Sequence, residues 1–201
     1  MNPRTIERLV PGPAGQIETA WSLPGEPPRG IALVAHPHPL YGGAMDNKVV
    51  QTLAKAFVGL GYAAIRFNFR GVGRSEGSHD EGRGETDDAV AVLEFCRREL
   101  GDIPVTLAGF SFGSFVQTRV AERTGAKKLV LVGAAVNRFQ VGTVPAGTLV
   151  IHGEQDDVVP LADVLDWARP QKLPVVVLPG AGHFFHGYLV ELKRIVGDAC
   201  R

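Results

Sequence analysis

The chain has 201 residues, 45% hydrophobic and 21% charged, and its 21 Lys and Arg are balanced by 21 Asp and Glu. That length suits a single domain, residues 1–201, with enough chain to bury a sizeable core. Zero net charge with no dense basic run argues against a surface for nucleic acid or anionic membrane, since both rely on concentrated positive charge. Cys96 and Cys200 are far apart and lack metal-ligand or redox spacing; Cys96 falls in an apolar helical pattern, which suits a buried reduced thiol. Met1–Val10 carries charges without a signal-peptide core, and no apolar run approaches a membrane span, so a cytoplasmic location is expected.

In chain order, Thr5–Val10 and Gln16–Leu23 read as two strands of an antiparallel hairpin joined by Pro11-Gly12-Pro13-Ala14-Gly15. Pro24–Gly30 is a loop, because consecutive prolines refuse both helix and ladder bonding. Ile31–Ala35 is a continuous apolar run suited to a strand buried on both faces. Asn47–Gly59 carries one apolar helical face, with Gly61 placed to cap its end. Tyr62–Phe69 is the next strand, and Thr86–Leu100 a helix with Asp87 and Asp88 expected in its first turn. Strand Ile103–Ala108, helix Phe115–Arg123 and strand Lys128–Ala135 follow. Then come strand Thr148–His152, helix Leu161–Ala168, strand Pro174–Leu178 and helix Gly187–Ala199. This alternation predicts an α/β protein with a mostly parallel central sheet of about eight strands, an antiparallel start and helices on both faces. Asn137–Gly147 is near the minimum for a crossover and leaves no room for a lid domain.

Ligands in such sheets gather beyond the carboxyl ends of the strands, so the residues after each strand are the informative ones. Gly109-Phe110-Ser111-Phe112-Gly113 follows one strand and opens a helix, the setting in which a serine is lifted above the sheet edge. Gly153-Glu154-Gln155-Asp156-Asp157 follows another, and Gly182-His183 another. A serine, an acid and a histidine therefore project from one edge, in that order. His36-Pro37-His38-Pro39-Leu40-Tyr41-Gly42-Gly43 and Asn68-Phe69-Arg70-Gly71-Val72-Gly73-Arg74-Ser75 complete the edge.

On these motifs the chain resembles the α/β-hydrolase superfamily, in particular a compact, lidless bacterial branch of serine hydrolases distantly similar to dienelactone hydrolases. The resemblance spans nearly the whole chain and implies Ser111 as nucleophile, Asp156 as acid and His183 as base. A serine hydroxyl attacks well only when a base takes its proton, the part of His183, and Asp156 would hold the imidazole tautomer. The family pattern puts the acid three residues after the glycine, selecting Asp156 over Asp157; His186 falls at the start of the last helix and is the rival base. His152, at a strand end, reads as packed and hydrogen-bonded. Acyl transfer needs donors for the developing oxyanion. The Phe112 N–H is one, and His38 is the natural second, since Pro37 and Pro39 have no N–H; Leu40 and Tyr41 are the fallback donors.

His36-x-His38 lacks a third ligand at suggestive spacing, so no metal is expected. Gly71-x-Gly73 with Gly77 misses the dinucleotide spacing and there is no phosphate loop, so no cofactor is expected either. Arg70 and Arg74 read as loop anchors through ion pairs, or alternatively as contacts for an acidic substrate group. Phe110, Phe112, Phe139, Val141, Phe184 and Phe185 are candidate apolar walls. The expected function is hydrolysis of a small-molecule ester by a monomer or homodimer with no nucleic-acid or membrane partner. The alternatives are a thioesterase, lactone hydrolase or small peptidase, or a catalytically silent binding protein on the same fold.

Overall fold

The computed structural model describes residues 4–201; the first three residues of the Met1–Val10 stretch lie outside the described residues. The chain begins with β1 (Arg4–Gly12), β2 (Gly15–Leu23), β3 (Ile31–Ala35), α1 (Lys48–Gly59) and β4 (Ala63–Phe67). It continues through α2 (Arg83–Leu100), β5 (Val105–Phe110), α3 (Phe112–Thr124), β6 (Lys128–Val132) and β7 (Leu149–Gly153). α4 (Leu161–Ala168), β8 (Val175–Leu178) and α5 (Leu189–Ala199) complete it. All eight strands form one sheet in the order β1-β2-β4-β3-β5-β6-β7-β8. β2 runs antiparallel to both β1 and β4, and every pairing from β4 through β3 to β8 is parallel. This is the expected mostly parallel sheet of eight strands, with no lid between β6 and β7.

Alternation along the strands explains the two helical layers. Ile31, Leu33 and Ala35 of β3 pack with α2 and α3 residues such as Val92, Leu93 and Val116. Ala32 and Val34, pointing the other way, pack with Leu53 and Phe57 of α1 and Leu192 and Val196 of α5. A strand covered on both faces reads as an unbroken apolar run, which is why β3 is legible from end to end. Each fully buried side chain such as Phe57 removes enough apolar surface to stabilise the fold by about 1.5–3 kcal/mol. α1 is set by its caps: the Asn47 side chain accepts from the Val49 N–H at 2.9 Å, and Gly61 takes φ +83° just past the end. Cys96 is buried in α2, where burial pushes its thiol up to about 12. No helix among the described residues is long and apolar enough to cross a membrane.

Several boundaries differ from the sequence reading for physical reasons. The hairpin turn is only Pro13-Ala14, because β1 is a sheet edge and tolerates Pro11 opposite Gln16. β6 stops at Val132, where Gly133 takes φ +53°. α2 starts at Arg83, so Asp87 and Asp88 lie beyond its first turn. That turn is closed by Glu85, whose carboxylate accepts from the N–H groups of Asp80 and Gly82 at 2.9 and 2.8 Å.

Asp88 instead receives two bonds from the Arg70 guanidinium, Nε to Oδ2 and Nη2 to Oδ1, both at 2.8 Å. The Asp88 side chain is 1% exposed and that of Arg70 12%, so this fork ties the loop after β4 to α2 in a largely dry setting. Removing one partner leaves the other charge without compensation. Asp88→Ala should therefore lower the unfolding free energy by about 3 kcal/mol. Urea denaturation checks this, and a loss below about 1 kcal/mol would show that water reaches the pair.

Candidate active site

The site begins where β5 meets α3. Ser111 takes φ 55° and ψ −118°, between Phe110, the last residue of the strand, and Phe112, the first of the helix. A non-glycine residue held there costs about 1–3 kcal/mol, so the surroundings must enforce it. The Ser111 N–H donates to the Val132 carbonyl at 2.9 Å, and the Ser114 hydroxyl donates to the Gly109 carbonyl at 2.8 Å. Gly109 and Gly113 are glycines because of space. A Cβ on Gly109 would fall 2.5 Å from the Ser114 nitrogen, and one on Gly113 2.6 Å from the His36 carbonyl oxygen.

Two further loops reach the serine. His183 lies beyond β8, and its Nε2 sits 3.1 Å from Ser111 Oγ, where it accepts the hydroxyl proton. Its Nδ1–H donates to Asp156 Oδ2 at 2.7 Å, which fixes the tautomer. The other carboxylate oxygen, Oδ1, accepts from the N–H groups of Val158 and Val159 at 3.0 and 2.7 Å. Burial pushes the Asp156 carboxyl up, yet these bonds and the adjacent histidines together hold it below the usual carboxylate range. His152 is fully buried; its Nε2–H donates to the Val159 carbonyl at 2.8 Å and lies 3.4 Å from Asp156 Oδ2. Burial lowers its pKa, so it stays neutral behind the acid. The structure thus brings Ser111, Asp156 and His183 into one chain of hydrogen bonds. Asp157 and His186 are exposed and stand outside it.

The loop after β3 closes over the elbow. The His36 ring is fully buried: Nδ1–H donates to the Pro37 carbonyl at 2.6 Å, and Nε2 accepts from the Phe69 N–H at 3.0 Å. This neutral ring staples the loop to the end of β4. The two fallback donors are used within the loop, the Leu40 N–H on His38 Nδ1 at 3.2 Å and the Tyr41 N–H on the His38 carbonyl at 3.1 Å. The His38 N–H, between two prolines, is the donor left over. The Phe112 N–H opens α3 and is one of those a helix leaves without an intrahelical partner. His36 and His38 face separate neighbours, and among the described residues no group of three or more His, Cys, Asp or Glu could hold a metal ion.

In the loop after β4, Asn68 and Ser75 form a buried polar knot with Glu18 of β2. The Asn68 amide donates to Glu18 Oε2 at 2.8 Å, and the Ser75 hydroxyl donates to the Asn68 carbonyl at 2.7 Å. Gly73, at φ +55°, leaves the space that the Glu18 carboxylate and Asn68 amide fill. Arg70 is an anchor, as described above; the Arg74 side chain is exposed and has no ion pair among the described residues.

Above Ser111 is an open cleft of about 430 Å³, whose lining includes His38, Tyr41, Arg138, His183 and Phe184. Of the expected apolar walls, Phe184 lines this cleft and Phe139 an adjoining one. Phe110, Phe112 and Phe185 are core instead, at most 1% exposed, and Val141 packs against the core from the side. Arg138 and the His36 staple have no signature in the sequence, because only the folded loops show what they face.

A strained serine at a strand-to-helix turn, with a histidine and a carboxylate from later loops of the same sheet edge, defines the serine hydrolase architecture on an eight-stranded α/β sheet. A family model described as the alpha/beta hydrolase fold matches residues 37–147. An uncharacterised protein of Rickettsia prowazekii is 34% identical over 202 residues, covering 93% of this chain and 85% of its own. The chain belongs to the alpha/beta hydrolase family. Among solved structures it is similar to an alpha-beta serine hydrolase homologue from Coxiella burnetii, with TM-score 0.92 and 39% identity over 98% of this chain and 97% of that one. It is also similar to XC6422 from Xanthomonas campestris, a serine hydrolase without a lid, with TM-score 0.94 and 36% identity over 98% and 94% of the two chains.

The His36 staple has a measurable signature. Burial lowers its pKa from 6.5 to about 4, so the unfolded chain binds a proton there that the folded protein refuses. Stability should fall as pH drops below 6.5, with His36 accounting for about 2 kcal/mol of the loss by pH 5, and the loss should level off below about 4. Urea denaturation from pH 7 to pH 4 measures the slope. It should be shallower in His36→Gln, and an unchanged slope would mean that the ring is protonated in the folded state.

Proposed function

We propose that this protein is a carboxylesterase-type serine hydrolase that cleaves small carboxylic esters through an acyl-enzyme. The observation that carries this reading is the unbroken line from Ser111 Oγ through His183 to Asp156, beneath an open cleft. In the first half-reaction His183 Nε2 takes the Ser111 proton as Oγ attacks the ester carbonyl. The carbonyl electron pair moves onto oxygen, and the N–H groups of Phe112 and His38 stabilise that charge. The intermediate collapses, the carbon–alkoxide bond breaks, and the imidazolium gives its proton to the departing alkoxide. In the second half a water takes the place of the alcohol, loses a proton to His183, and attacks the acyl-serine. Collapse frees the acid and returns the proton to Ser111. Asp156 keeps its charge throughout and stabilises the imidazolium.

The openness of the site favours small soluble esters over lipids presented at an interface. The link between β6 and β7 carries no helix, so nothing covers the serine as a lid would, and small soluble esters can reach it directly. A fluorophosphonate probe should label the wild-type protein and leave Ser111→Ala unlabelled. No adduct on the wild type would defeat the enzyme reading, and an adduct on Ser111→Ala would defeat the choice of nucleophile. Rates on matched oxygen ester, thioester, lactone and amide substrates should be highest for the oxygen ester.

The acid is tested separately. Asp156→Asn should lower kcat by about 10³–10⁴-fold, as expected when the imidazole loses its orienting carboxylate. Asp157→Asn should change kcat by less than about threefold, since its side chain is exposed and outside the relay. Equal losses in the two variants would overturn the assignment of Asp156.

A further inference from the structure

Arg138 is a cation in the cleft with no counter-ion among the described residues. It lines the space above Ser111 and also an adjoining lobe of about 490 Å³, the two lobes meeting at His38, Tyr41 and Arg138. Two nearby guanidiniums are committed to carboxylates, Arg66 to Asp46 and Arg70 to Asp88. Arg138 has no ion pair among the described residues; its guanidinium lies over the Tyr41 ring, 6.0 Å from the centroid. The lobe above Ser111 has no carboxylate in its lining, and Glu81 belongs to the adjoining lobe.

The backbone that carries this charge is pinned on both sides. Asn137 donates from its side chain to the Val158 carbonyl at 3.1 Å, in the loop that holds Asp156. Phe139 stacks on Phe115, with centroids 4.7 Å apart and planes at 16°. Between the two anchors the Arg138 N–H bonds the Ala135 carbonyl at 3.3 Å, so only the side chain is left to project. An unpaired cation on a fixed backbone, beside a proposed nucleophile, is a recognition element that is already in place.

We propose that Arg138 selects esters that carry a carboxylate, which it binds while Ser111 attacks the ester carbonyl. This rests on the ester-hydrolase reading above. A carboxylate fits better than a phosphate monoester: the guanidinium fork can pair bidentately with either, but one cation balances a carboxylate and leaves a phosphate dianion half-compensated.

Two pairs of substrates test this, with the carboxylate on the acyl side in one and on the alcohol side in the other. The first pair is 4-nitrophenyl hemiglutarate against 4-nitrophenyl pentanoate, and the second the butyryl ester of glycolate against ethyl butyrate. In at least one pair the anionic ester should have the higher kcat/KM, by about tenfold, the usual yield of one charge-assisted hydrogen-bonded pair. Arg138→Gln should reduce that ratio about tenfold, Arg138→Glu should invert it, and Arg138→Lys should keep part of it. Added salt should shrink the ratio in the wild type, because the cleft is open to solvent. Neutral esters preferred in both pairs, or a ratio unchanged in Arg138→Gln, would overturn the role of Arg138 while ester turnover keeps the hydrolase reading standing. No turnover of any of the four, with no fluorophosphonate adduct, would remove both.

Discussion

The backbone of Ser111 turns through positive φ because β5 and α3 come closer together than a side chain would allow, and the rest of the carboxyl edge is arranged around that approach. Gly109 lets the first turn of α3 sit against the strand, and Gly113 lets it sit against the carbonyls of Ala35 and His36. The second contact draws the loop after β3 up to the elbow. The Val132 carbonyl, at the end of the neighbouring strand, receives the Ser111 N–H, so β6 is registered to the same point. Phe110, one residue before the serine, packs in the core with its ring 5.0 Å from that of His183. Local strain at one residue is thus balanced by packing along three strands, which is the usual way a fold holds an unfavourable dihedral in place.

The loops that meet there are fixed mainly by buried polar groups. Asp156 caps the N–H groups of Val158 and Val159 with one oxygen and orients His183 with the other. His36 bridges two loops with its two ring nitrogens. Glu18, Asn68 and Ser75 do the same work for the loop after β4, and Arg70 joins that loop to α2. Buried polar groups are costly unless each finds a partner, so these networks tolerate few alternative arrangements. The apolar layers on either side of the sheet supply stability, and the polar knots at its edge supply geometry.

How much of this could be read from the residues depended on the range of the interaction. β3 was legible to the residue because two-sided burial writes itself as an unbroken apolar run, and α4 because its helical face is local. Ser111, Asp156 and His183 could be placed on one edge because each follows a strand. α2 begins three residues before Thr86, because its N-cap, Gly82, has no side chain to announce it and the closing carboxylate comes from Glu85. Phe110, Phe112 and Phe185 are core and not cleft walls, and the chain alone does not tell the two apart, because an aromatic beside a site motif reads the same whether it points up or down. His36 reaches Phe69, and Arg138 lines the cleft with His38 and Tyr41, all distant in sequence, and no local pattern encodes such contacts.

The link from β6 to β7 has a consequence for how this scaffold can change. Its residues contribute no strand to the sheet and no member of the Ser111–His183–Asp156 line, yet they run beside the mouth of the cleft and carry Arg138 and Phe139. Lengthening a surface connection costs little, about 0.6 kcal/mol for each doubling of its length. New chain inserted beyond the Asn137 and Phe139 anchors, which tie the link to the Asp156 loop and to α3, can therefore build a roof over the cleft. On the reading proposed above, reaction chemistry and the charge that selects the substrate sit on different segments, so the second can be changed while the first is kept.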